Sequence, residues 1–452
     1  MTRFIPILIL FTSLNLNAQN DSIFVRQIFD EALENGQSYE NLKVLCKSIG
    51  ARISGSKQAE DAIRWGRHLL KSYNLDTVYL QEIQIPNWKR GKAEKAWAEN
   101  STGEKLTLNI LALGGSSSTN GLLKAEIVQV KNVDELKALS SDKVKGKIVF
   151  LTEAFDQKHI NTFSAYGHCY PLRGDAPNEA SKLGAKAVVI RSLATPTDNF
   201  PHTGVTEFED GVKVIPCAAM STQNADDLVK WLSNGKVMLN MELDCATLPN
   251  ATSYNVIAEI KGKDNKIITI GGHLDSWDVG EGAHDDGAGI MHNIEAMRIL
   301  KTLNYKPNHT IRCVLFMNEE NGNFGGETYA KLAKENNEEH ILAIESDRGG
   351  FLPMGFDVVG TTEQLATVKQ FETILYPYDL LKIKEGHSGV DIGPLRKYYP
   401  EMIQMGLAIN SQQYFNYHHS ANDVFETVNK RELELGAASI ATMVYLMDKT
   451  LK

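Results

Sequence analysis

The chain has 452 residues, 42% of them hydrophobic and 23% charged, a composition typical of a globular protein with two or three domains. Its formal net charge is −9 and it has no cluster of basic residues, which argues against nucleic-acid binding. The five cysteines are widely spaced and include no CxxC pair. This spacing excludes a disulfide framework and a thiolate zinc site, although it leaves a single bridge open.

The first twenty residues have the pattern of a signal peptide. Arg3 precedes an apolar stretch, residues 4–16, and the small-residue site Leu16-Asn17-Ala18 follows. The stretch is shorter than the roughly 18 residues that a membrane-spanning helix needs. A membrane anchor and a short core helix are therefore the less favoured alternatives. We expect cleavage after Ala18, giving a periplasmic or secreted protein that does not associate with a membrane.

Three segments follow the predicted signal peptide, residues 1–18. In residues 19–99 the apolar spacing indicates helices on either side of the turn at 50–56, and then a strand at 77–85. Residues 100–248 alternate short β-rich runs with short helices, which predicts a β-rich module inserted into the surrounding domain. Its predicted strands are 125–130, 147–151, 187–190, 214–219 and 237–243, and its main predicted helices are 178–183 and 224–232. We find no defensible catalytic group among its polar residues; its three histidines are placed in loops.

Residues 249–452 change to apolar strands separated by amphipathic helices. This pattern predicts an α/β domain with a mostly parallel central sheet and flanking helices. The predicted strands are 255–260, 266–270, 310–316, 341–344 and 402–409.

Side chains that bind metal ions follow the predicted strands of this domain. His273, the pair Glu319-Glu320 and Asp347 each come just after a strand. Asp285 opens a predicted helix, and His419 lies in a loop after the last long strand. Because ligands bind outside the carboxyl ends of strands in open α/β sheets, we expect these side chains to meet at one edge.

The residue types indicate a catalytic zinc site. Imidazole and carboxylate without thiolate suit zinc that keeps a position open for water. Two zinc ions about 3.5–4 Å apart commonly share a carboxylate. Asp285 fits that bridge, which leaves His273 with Asp347 and Glu320 with His419 for the separate ions. The sequence itself leaves the pairing open.

Two further acids have predicted catalytic roles. Asp275 lies two residues beyond His273 and is placed to accept a hydrogen bond from its other ring nitrogen, as zinc-binding histidines usually require. Of the adjacent pair, Glu320 is predicted to bind metal and Glu319 to act as the general base. Asp286, in contrast, could serve only as a helix cap.

At these residues the sequence resembles the co-catalytic zinc aminopeptidase superfamily, which also contains glutamate carboxypeptidase, transferrin receptor and glutaminyl cyclase. The resemblance rests on the motifs GARISGS, SYNVIAEIKG, GGHLDSWDVGEGAHDDGAG, NEENG, ESDRGG and HHS, in that order. It implies the zinc exopeptidase fold with a protease-associated domain as the insert, two Zn2+ per chain, and a homodimer. It implies the metal ligands His273, Asp285, Glu320, Asp347 and His419, with Glu319 as general base. His419 is preferred to its neighbour His418 because Ser420 and Asp423 follow it in the family pattern.

The sequence departs from that pattern at Arg348, which follows the ligand Asp347, and in the loop at 385–391. Arg348 and His387 are candidate substrate-binding residues, and His387 is a candidate oxyanion stabiliser. We therefore predict an exopeptidase that hydrolyses dipeptides or terminal residues of short peptides with a free amino terminus. A hydroxide between the two metal ions would attack, with Glu319 as the base. The alternatives are a single-zinc glutaminyl cyclase and a receptor-like protein without metals, and the complete ligand set argues against both.

Overall fold

The structure is a computed structural model that describes the backbone of residues 6–451 and the side chains of residues 20–451. Residues 1–5 of the predicted signal peptide lie outside the described residues, and the side chains of its remainder are not described either. Among the described helices, none is both long enough and apolar enough to cross a membrane.

The secondary-structure elements alternate along most of the chain. The strands are β1 (Thr77–Lys89), β2 (Lys95–Asn100), β3 (Lys105–Thr107), β4 (Ile110–Ala112), β5 (Leu123–Val130), β6 (Ile148–Leu151), β7 (Ala187–Arg191), β8 (Cys217–Met220), β9 (Val237–Glu242), β10 (Ala246–Ile260), β11 (Lys266–His273), β12 (Thr310–Phe316), β13 (Glu339–Glu345), β14 (Pro353–Val359), β15 (Lys382–Glu385) and β16 (Ile403–Ile409). The α-helices are α1 (Pro6–Asn35), α2 (Ser38–Val44), α3 (Lys57–Ser72), α4 (Val133–Lys137), α5 (Ser141–Val144), α6 (Thr162–Cys169), α7 (Pro171–Gly174), α8 (Ala176–Lys182), α9 (Thr222–Leu232), α10 (Gly289–Thr302), α11 (Phe324–Glu335), α12 (Thr362–Lys369), α13 (Glu372–Leu375) and α14 (Lys430–Thr450). Short π-helical turns are Leu45–Ile49 and Ala283–Ala288, and short 3-10 turns are Tyr376–Tyr378, Gly393–Lys397, Tyr414–Asn416 and Phe425–Thr427.

The first sheet has the strand order β1-β10-β12-β11-β13-β16-β14-β15. Its inner strands β12, β11, β13 and β16 run parallel to one another. On one side β10 and β1 add antiparallel, and on the other side β14 does so. The α/β prediction is confirmed, but the sheet is mixed and is parallel only at its centre. The strands β14 and β15 were not predicted from the sequence.

Helices cover both faces of this sheet. Val314 and Phe316 of β12 belong to a buried cluster with Tyr329 of α11. Leu315, between them, points to the opposite face and belongs to the larger core that includes Ile294 of α10. Successive side chains of a strand point to opposite faces, so an apolar run such as β12 requires a helix layer on each side. The predicted pattern of buried strands between amphipathic helices arises in this way.

The second sheet has the order β3-β2-β9-β5-β6-β7-β8-β4 and spans residues 95–242. Its half β5-β6-β7-β8 is parallel, while β3, β2 and β9 join antiparallel. The segment leaves the first sheet at Lys89 of β1 and returns at Ala246 of β10, and these two residues pair directly. The second sheet is thus an insertion between two neighbouring strands of the first.

The cysteines are all buried and form no disulfide. They are Cys46, Cys169, Cys217, Cys245 and Cys313. The one bridge that the sequence left open is therefore not formed.

Candidate metal centre

The parallel register brings three strand ends to one edge of the first sheet. His273 is the last residue of β11 and lies opposite Phe316, the last residue of β12. Glu345, the last residue of β13, pairs with Gly271 on the other side of β11. Residues just past these strands, among them Glu320 and Asp347, therefore lie beside His273, as the sequence predicted.

Asp285 occupies the middle of the site. Its Oδ1 lies 3.3 Å from Nε2 of His273, and its Oδ2 lies 3.2 Å from Nε2 of His419. His273 Nε2 also lies 3.5 Å from Oδ1 of Asp347, and His419 Nε2 lies 3.1 Å from Oε2 of Glu320. The structure thus brings the five predicted ligands into two groups that share one carboxylate.

The tautomers of both histidines are set by backbone carbonyls. Nδ1 of His273 lies 3.1 Å from the carbonyl oxygen of Asp275, and Nδ1 of His419 lies 3.2 Å from that of Thr203. A carbonyl oxygen can only accept, so each Nδ1 carries a proton in the neutral ring. Each Nε2 then presents a lone pair to the central carboxylates.

This arrangement fits a cation between the groups. Asp285 Oδ2 and Asp347 Oδ1 are buried, and neither accepts a hydrogen bond from a residue that the structure describes. Carboxylate oxygens that face nitrogen lone pairs at this range repel each other unless a proton or a metal ion lies between them. The candidate ligand atoms of His273, Asp285 and Asp347 lie within 4.8 Å of one another.

The electrostatics agree with that geometry. Burial alone would lower the pKa of His273, but the carboxylates of Asp285 and Asp347 stabilise the protonated ring and raise this pKa well above its usual value. Burial would also lower the pKa of His419, but Glu320 and Asp285 outweigh burial and raise this pKa to about 9. Burial, with the charge of Asp285, raises the pKa of Glu320 to about 7. In the absence of a cation, His273, His419 and Glu320 therefore hold protons more tightly than usual. A bound metal ion would displace these protons.

His418 is a weaker ligand candidate than His419. Its Nε2 lies 3.7 Å from Asp285 Oδ2, farther than that of His419, and its ring stacks on the His419 ring with centroids 3.5 Å apart. Its Nδ1 is buried without a hydrogen-bond partner among the described residues, so no acceptor fixes its tautomer.

The predicted contact between the Asp275 carboxylate and His273 is wrong. The nearest carboxylate oxygen lies 4.0 Å from Nδ1 of His273, and the carbonyl of Asp275 takes its place. The carboxylate instead accepts hydrogen bonds from the backbone N–H groups of Asn318, Glu319 and Glu320, at 2.7, 3.2 and 3.4 Å. Asp275 turns away because these three N–H groups, which follow β12, need an acceptor. It therefore positions the segment that carries both glutamates.

Glu319 projects into the cavity next to the ligands. Its side chain is 18% exposed, and its Oε2 lies 3.9 Å from Nε2 of His273. Burial raises the pKa of Glu319 well above its usual range, and the carboxylates of Asp347 and Glu320 add to this effect. A carboxyl group of raised pKa beside the reaction centre suits a general base that must also return its proton.

Two residues whose roles were not predicted from the sequence position the segment that leads to Asp285. Asp423 accepts hydrogen bonds from the backbone N–H groups of His284 and Asp285, at 2.7 and 3.0 Å. Arg52, in the predicted turn at 50–56, is fully buried. Its guanidinium donates to the carbonyls of Leu274, Glu281 and Gly282. The signal that the sequence offers for this role is an arginine within a turn rich in glycine and serine. Asp286 caps α10, as the sequence allowed, through the Gly289 N–H at 3.1 Å.

The inserted sheet also reaches the centre, which the sequence reading did not foresee. Thr203 donates its N–H to the carbonyl of His419 at 2.9 Å and offers its own carbonyl to the ring. Arg173 Nη1 lies 3.4 Å from Nδ1 of His419. His202, predicted to lie in a loop without a role, is buried, and its Nδ1 lies 2.6 Å from the His418 carbonyl. The loop prediction was also wrong for His168, which lies in α6.

The two candidate substrate-binding residues, Arg348 and His387, line the cavity beside the centre. Arg348 donates to Oδ2 of Asp357 and to the carbonyl of His387, both at 2.6 Å. It therefore anchors the loop that carries His387, whose own side chain is exposed. Both residues line the same cavity of about 760 Å³ as the metal-ligand candidates, and the inserted segment contributes Tyr166 and Arg173 to that lining. Arg348 also lies 5.6 Å from the ring centroid of Phe163 in the insert.

Comparison with known proteins identifies the family. Residues 255–444 match the model of peptidase family M28. Human carboxypeptidase Q is 34% identical over 421 residues, which cover 91% of this chain and 85% of that protein, and the mouse protein is 32% identical over 417 residues. An alignment over 91% of this chain extends well beyond residues 255–444, and these relatives confirm the superfamily resemblance.

Solved structures agree. The peptidase M28 precursor from Shewanella amazonensis is 32% identical with a TM-score of 0.90, covering 95% of this chain and 97% of that one. BSAP, a zinc aminopeptidase from Bacillus subtilis, is 20% identical with a TM-score of 0.63, covering 90% of this chain and 94% of that one, and shows a shared fold. From the identity to carboxypeptidase Q over nearly its whole length, this chain belongs to peptidase family M28 and is a metallopeptidase.

Proposed function

We propose that this chain is an exported di-zinc exopeptidase that hydrolyses dipeptides, or the terminal residues of short peptides with a free amino terminus. The central observation is Asp285, whose two carboxylate oxygens face His273 and His419 separately. One ion would be held by His273, Asp285 and Asp347, and the other by Asp285, Glu320 and His419. The Bacillus subtilis relative is named as a zinc aminopeptidase, which supports zinc here.

Zinc at this centre would polarise the scissile carbonyl and make water acidic enough to ionise near neutral pH. The chain supplies the proton handling. Glu319 is the carboxylate beside His273 that lies outside both ligand groups, and its raised pKa allows it to take a proton and return it to the leaving amine. Asp275 holds Glu319 through the backbone, so the base is positioned independently of its own side chain.

The cavity accounts for a short substrate with a charged end. Its volume of about 760 Å³ holds a few residues, and the insert closes one side of it. The carboxylates of the centre, with Glu207 on the lining, favour a positively charged amino terminus. Exopeptidase action follows from a centre at the floor of a walled cavity.

The domain organisation is part of the proposal. The segment at 100–248 is proposed to be a protease-associated domain, inserted after the helical part of the catalytic domain at 19–99 and before the remainder at 249–452. The signal peptide at 1–18 is proposed to direct export to the periplasm or the medium. N-terminal sequencing of the protein recovered outside the cytoplasm should begin after Ala18; intact protein retained inside the cell would contradict export.

A dipeptide library, assayed with and without a chelator, tests the function. We expect cleavage that the chelator abolishes and that zinc restores, together with about two zinc ions per chain by elemental analysis. A blocked amino terminus should prevent cleavage. Cleavage that survives complete metal removal would contradict the proposal. About one ion per chain, with release of ammonia from amino-terminal glutamine, would instead identify a cyclase.

A further inference from the structure

Arg173, on the inserted sheet's α7, is a buried cation without an anion. Its side chain is 4% exposed, and no carboxylate of the described residues pairs with it. Two other buried arginines are paired, Arg90 with Asp278 and Arg312 with Glu259. A third, Arg52, has no carboxylate partner, but three backbone carbonyls accept from its guanidinium. An uncompensated buried charge costs several kcal/mol, so a guanidinium held in this way needs an anionic partner.

Most of its hydrogen-bonding capacity is unused. Nη1 donates to the carbonyl of Thr203 at 3.1 Å, and Nη2 donates to the hydroxyl of Tyr166 at 2.5 Å. Nε is buried and has no hydrogen-bond partner among the described residues. A guanidinium offers five N–H groups in a planar fork, and Arg173 lines the cavity. The second N–H of each Nη atom can therefore serve a carboxylate.

The surroundings hold the guanidinium in one orientation. The rings of Tyr166 and Tyr170 lie 5.6 and 5.3 Å from its central carbon. Gly204 packs so closely that a Cβ there would lie 2.0 Å from Nη1, and its φ of 138° also favours glycine. A side chain that served only to support His419 would not need a glycine and two aromatic rings to fix its plane.

The site faces the reaction centre. Arg173 lines the cavity together with Glu319 and Glu320, and its Nη1 lies 3.4 Å from the outer ring nitrogen of His419. One imidazole ring therefore separates the guanidinium from the candidate metal position. In a dipeptide the carboxylate is three bonds from the scissile carbonyl carbon, with bond lengths of about 1.3 to 1.5 Å. The carboxylate carbon of a dipeptide therefore stays within about 4 Å of the scissile carbon. Since one imidazole ring separates the guanidinium from the candidate metal position, this is the range over which the two groups can meet.

We infer that Arg173 binds the terminal carboxylate of the substrate and thereby selects peptides with one residue beyond the scissile bond. This inference rests on the proposed function and deepens it, because it assigns a carboxylate-recognising residue to the inserted sheet. Tyr166 and Gly204 are positioning residues that hold the guanidinium.

The test compares Ala-Ala with its carboxyl amide, using the full chain. For wild type we expect kcat/KM to be about 10- to 100-fold higher for the free carboxylate, the range for one charge-assisted pair. Arg173→Gln should remove this preference, mainly through KM, and leave the amide nearly unaffected. Arg173→Lys should keep part of it. Arg191→Gln is the matched control, since Arg191 is also on the insert, pairs with Asp226 at 2.5 Å, and does not line the cavity.

Each outcome decides the inference. Equal loss on both substrates in Arg173→Gln would mean that Arg173 only supports His419, and would overturn it. Wild type that cleaves the acid and the amide equally would overturn it without any variant. If neither compound is cleaved, calorimetric binding of the pair to wild type and to Arg173→Gln still tests the inference, while the failure of cleavage counts against the proposed function alone. Tighter binding of the acid that disappears in Arg173→Gln would support Arg173 even then.

Discussion

Replacement of Glu319 by glutamine should separate proton transfer from metal binding. Glutamine has nearly the same shape, and Glu319 lies outside both ligand groups, 3.9 Å from His273 Nε2. The hydrogen bond from the Glu319 backbone N–H to Asp275 at 3.2 Å involves no side-chain atom of residue 319 and should persist. The fold, the ligand positions and the zinc content should therefore remain those of wild type.

The expected loss of turnover is large. A positioned general base typically contributes about 10²- to 10⁴-fold, and each factor of ten corresponds to about 1.4 kcal/mol of activation free energy. Glu319→Gln should therefore raise the barrier by roughly 3–5 kcal/mol, almost entirely in kcat. Substrate binding should change little, because the amide retains the volume and polarity of the carboxyl group.

The measurement is steady-state kinetics on the best dipeptide, with elemental analysis of zinc on the same preparation. Glu327→Gln provides a matched control, since Glu327 lies in the first turn of α11 and is exposed. A Glu319→Gln protein that retains its zinc and turns over within about tenfold of wild type would refute the assignment of the base, given the usual size of the effect. Loss of zinc would show instead that Glu319 is a ligand.

Three further outcomes follow from the centre. Asp285→Asn should reduce the zinc content below two ions and abolish turnover, and a variant that keeps both ions would exclude the shared carboxylate. Arg52→Met should lower the free energy of unfolding by about 3–5 kcal/mol in urea titrations, because three buried carbonyls lose a charged donor; an unchanged midpoint would contradict this. Chelated protein should lose thermal stability from roughly pH 6 to 9, because burial raises the pKa of Glu345 to about 8 and acidic neighbours raise that of His419, against burial, to about 9. Both groups bind protons more tightly when folded, so their stabilisation is lost as the pH rises; a rising midpoint would be inconsistent with these shifts.

The sequence predicted the strands that carry the centre because they are buried on both faces. β12 has seven consecutive buried residues, and its predicted bounds match the observed ones. β15, in contrast, is a short edge strand in which only Ile383 is buried, so it has neither an apolar run nor an alternation to detect. Edge strands of this kind are specified by pairing partners that sequence periodicity does not reveal.

The predicted ligands meet because the end of a parallel strand is a position that sequence can locate. What escaped prediction are contacts between distant segments. Arg173 and His419 are 246 positions apart, and nothing in either neighbourhood indicates the other. The prediction for Asp275 was wrong for a different reason. Its position two residues after His273 does bring it next to the imidazole, but through its carbonyl. Its carboxylate binds backbone N–H groups of residues 318–320, which follow a different strand.

The direct pairing of Lys89 with Ala246 has a consequence for how the two sheets depend on each other. Adjacent strands lie about 5 Å apart, so a short turn could join β1 to β10 directly as a hairpin. The pairing of β1 with β10 in the first sheet therefore does not itself require the insertion. Yet without Thr203 the outer nitrogen of His419 would lose the carbonyl that fixes its proton. The insert nevertheless shares buried apolar packing with the rest of the chain, for example where Phe150 and Val189 belong to one cluster with Trp277. A shortened protein would therefore lose both this packing and the carbonyl that prepares the imidazole.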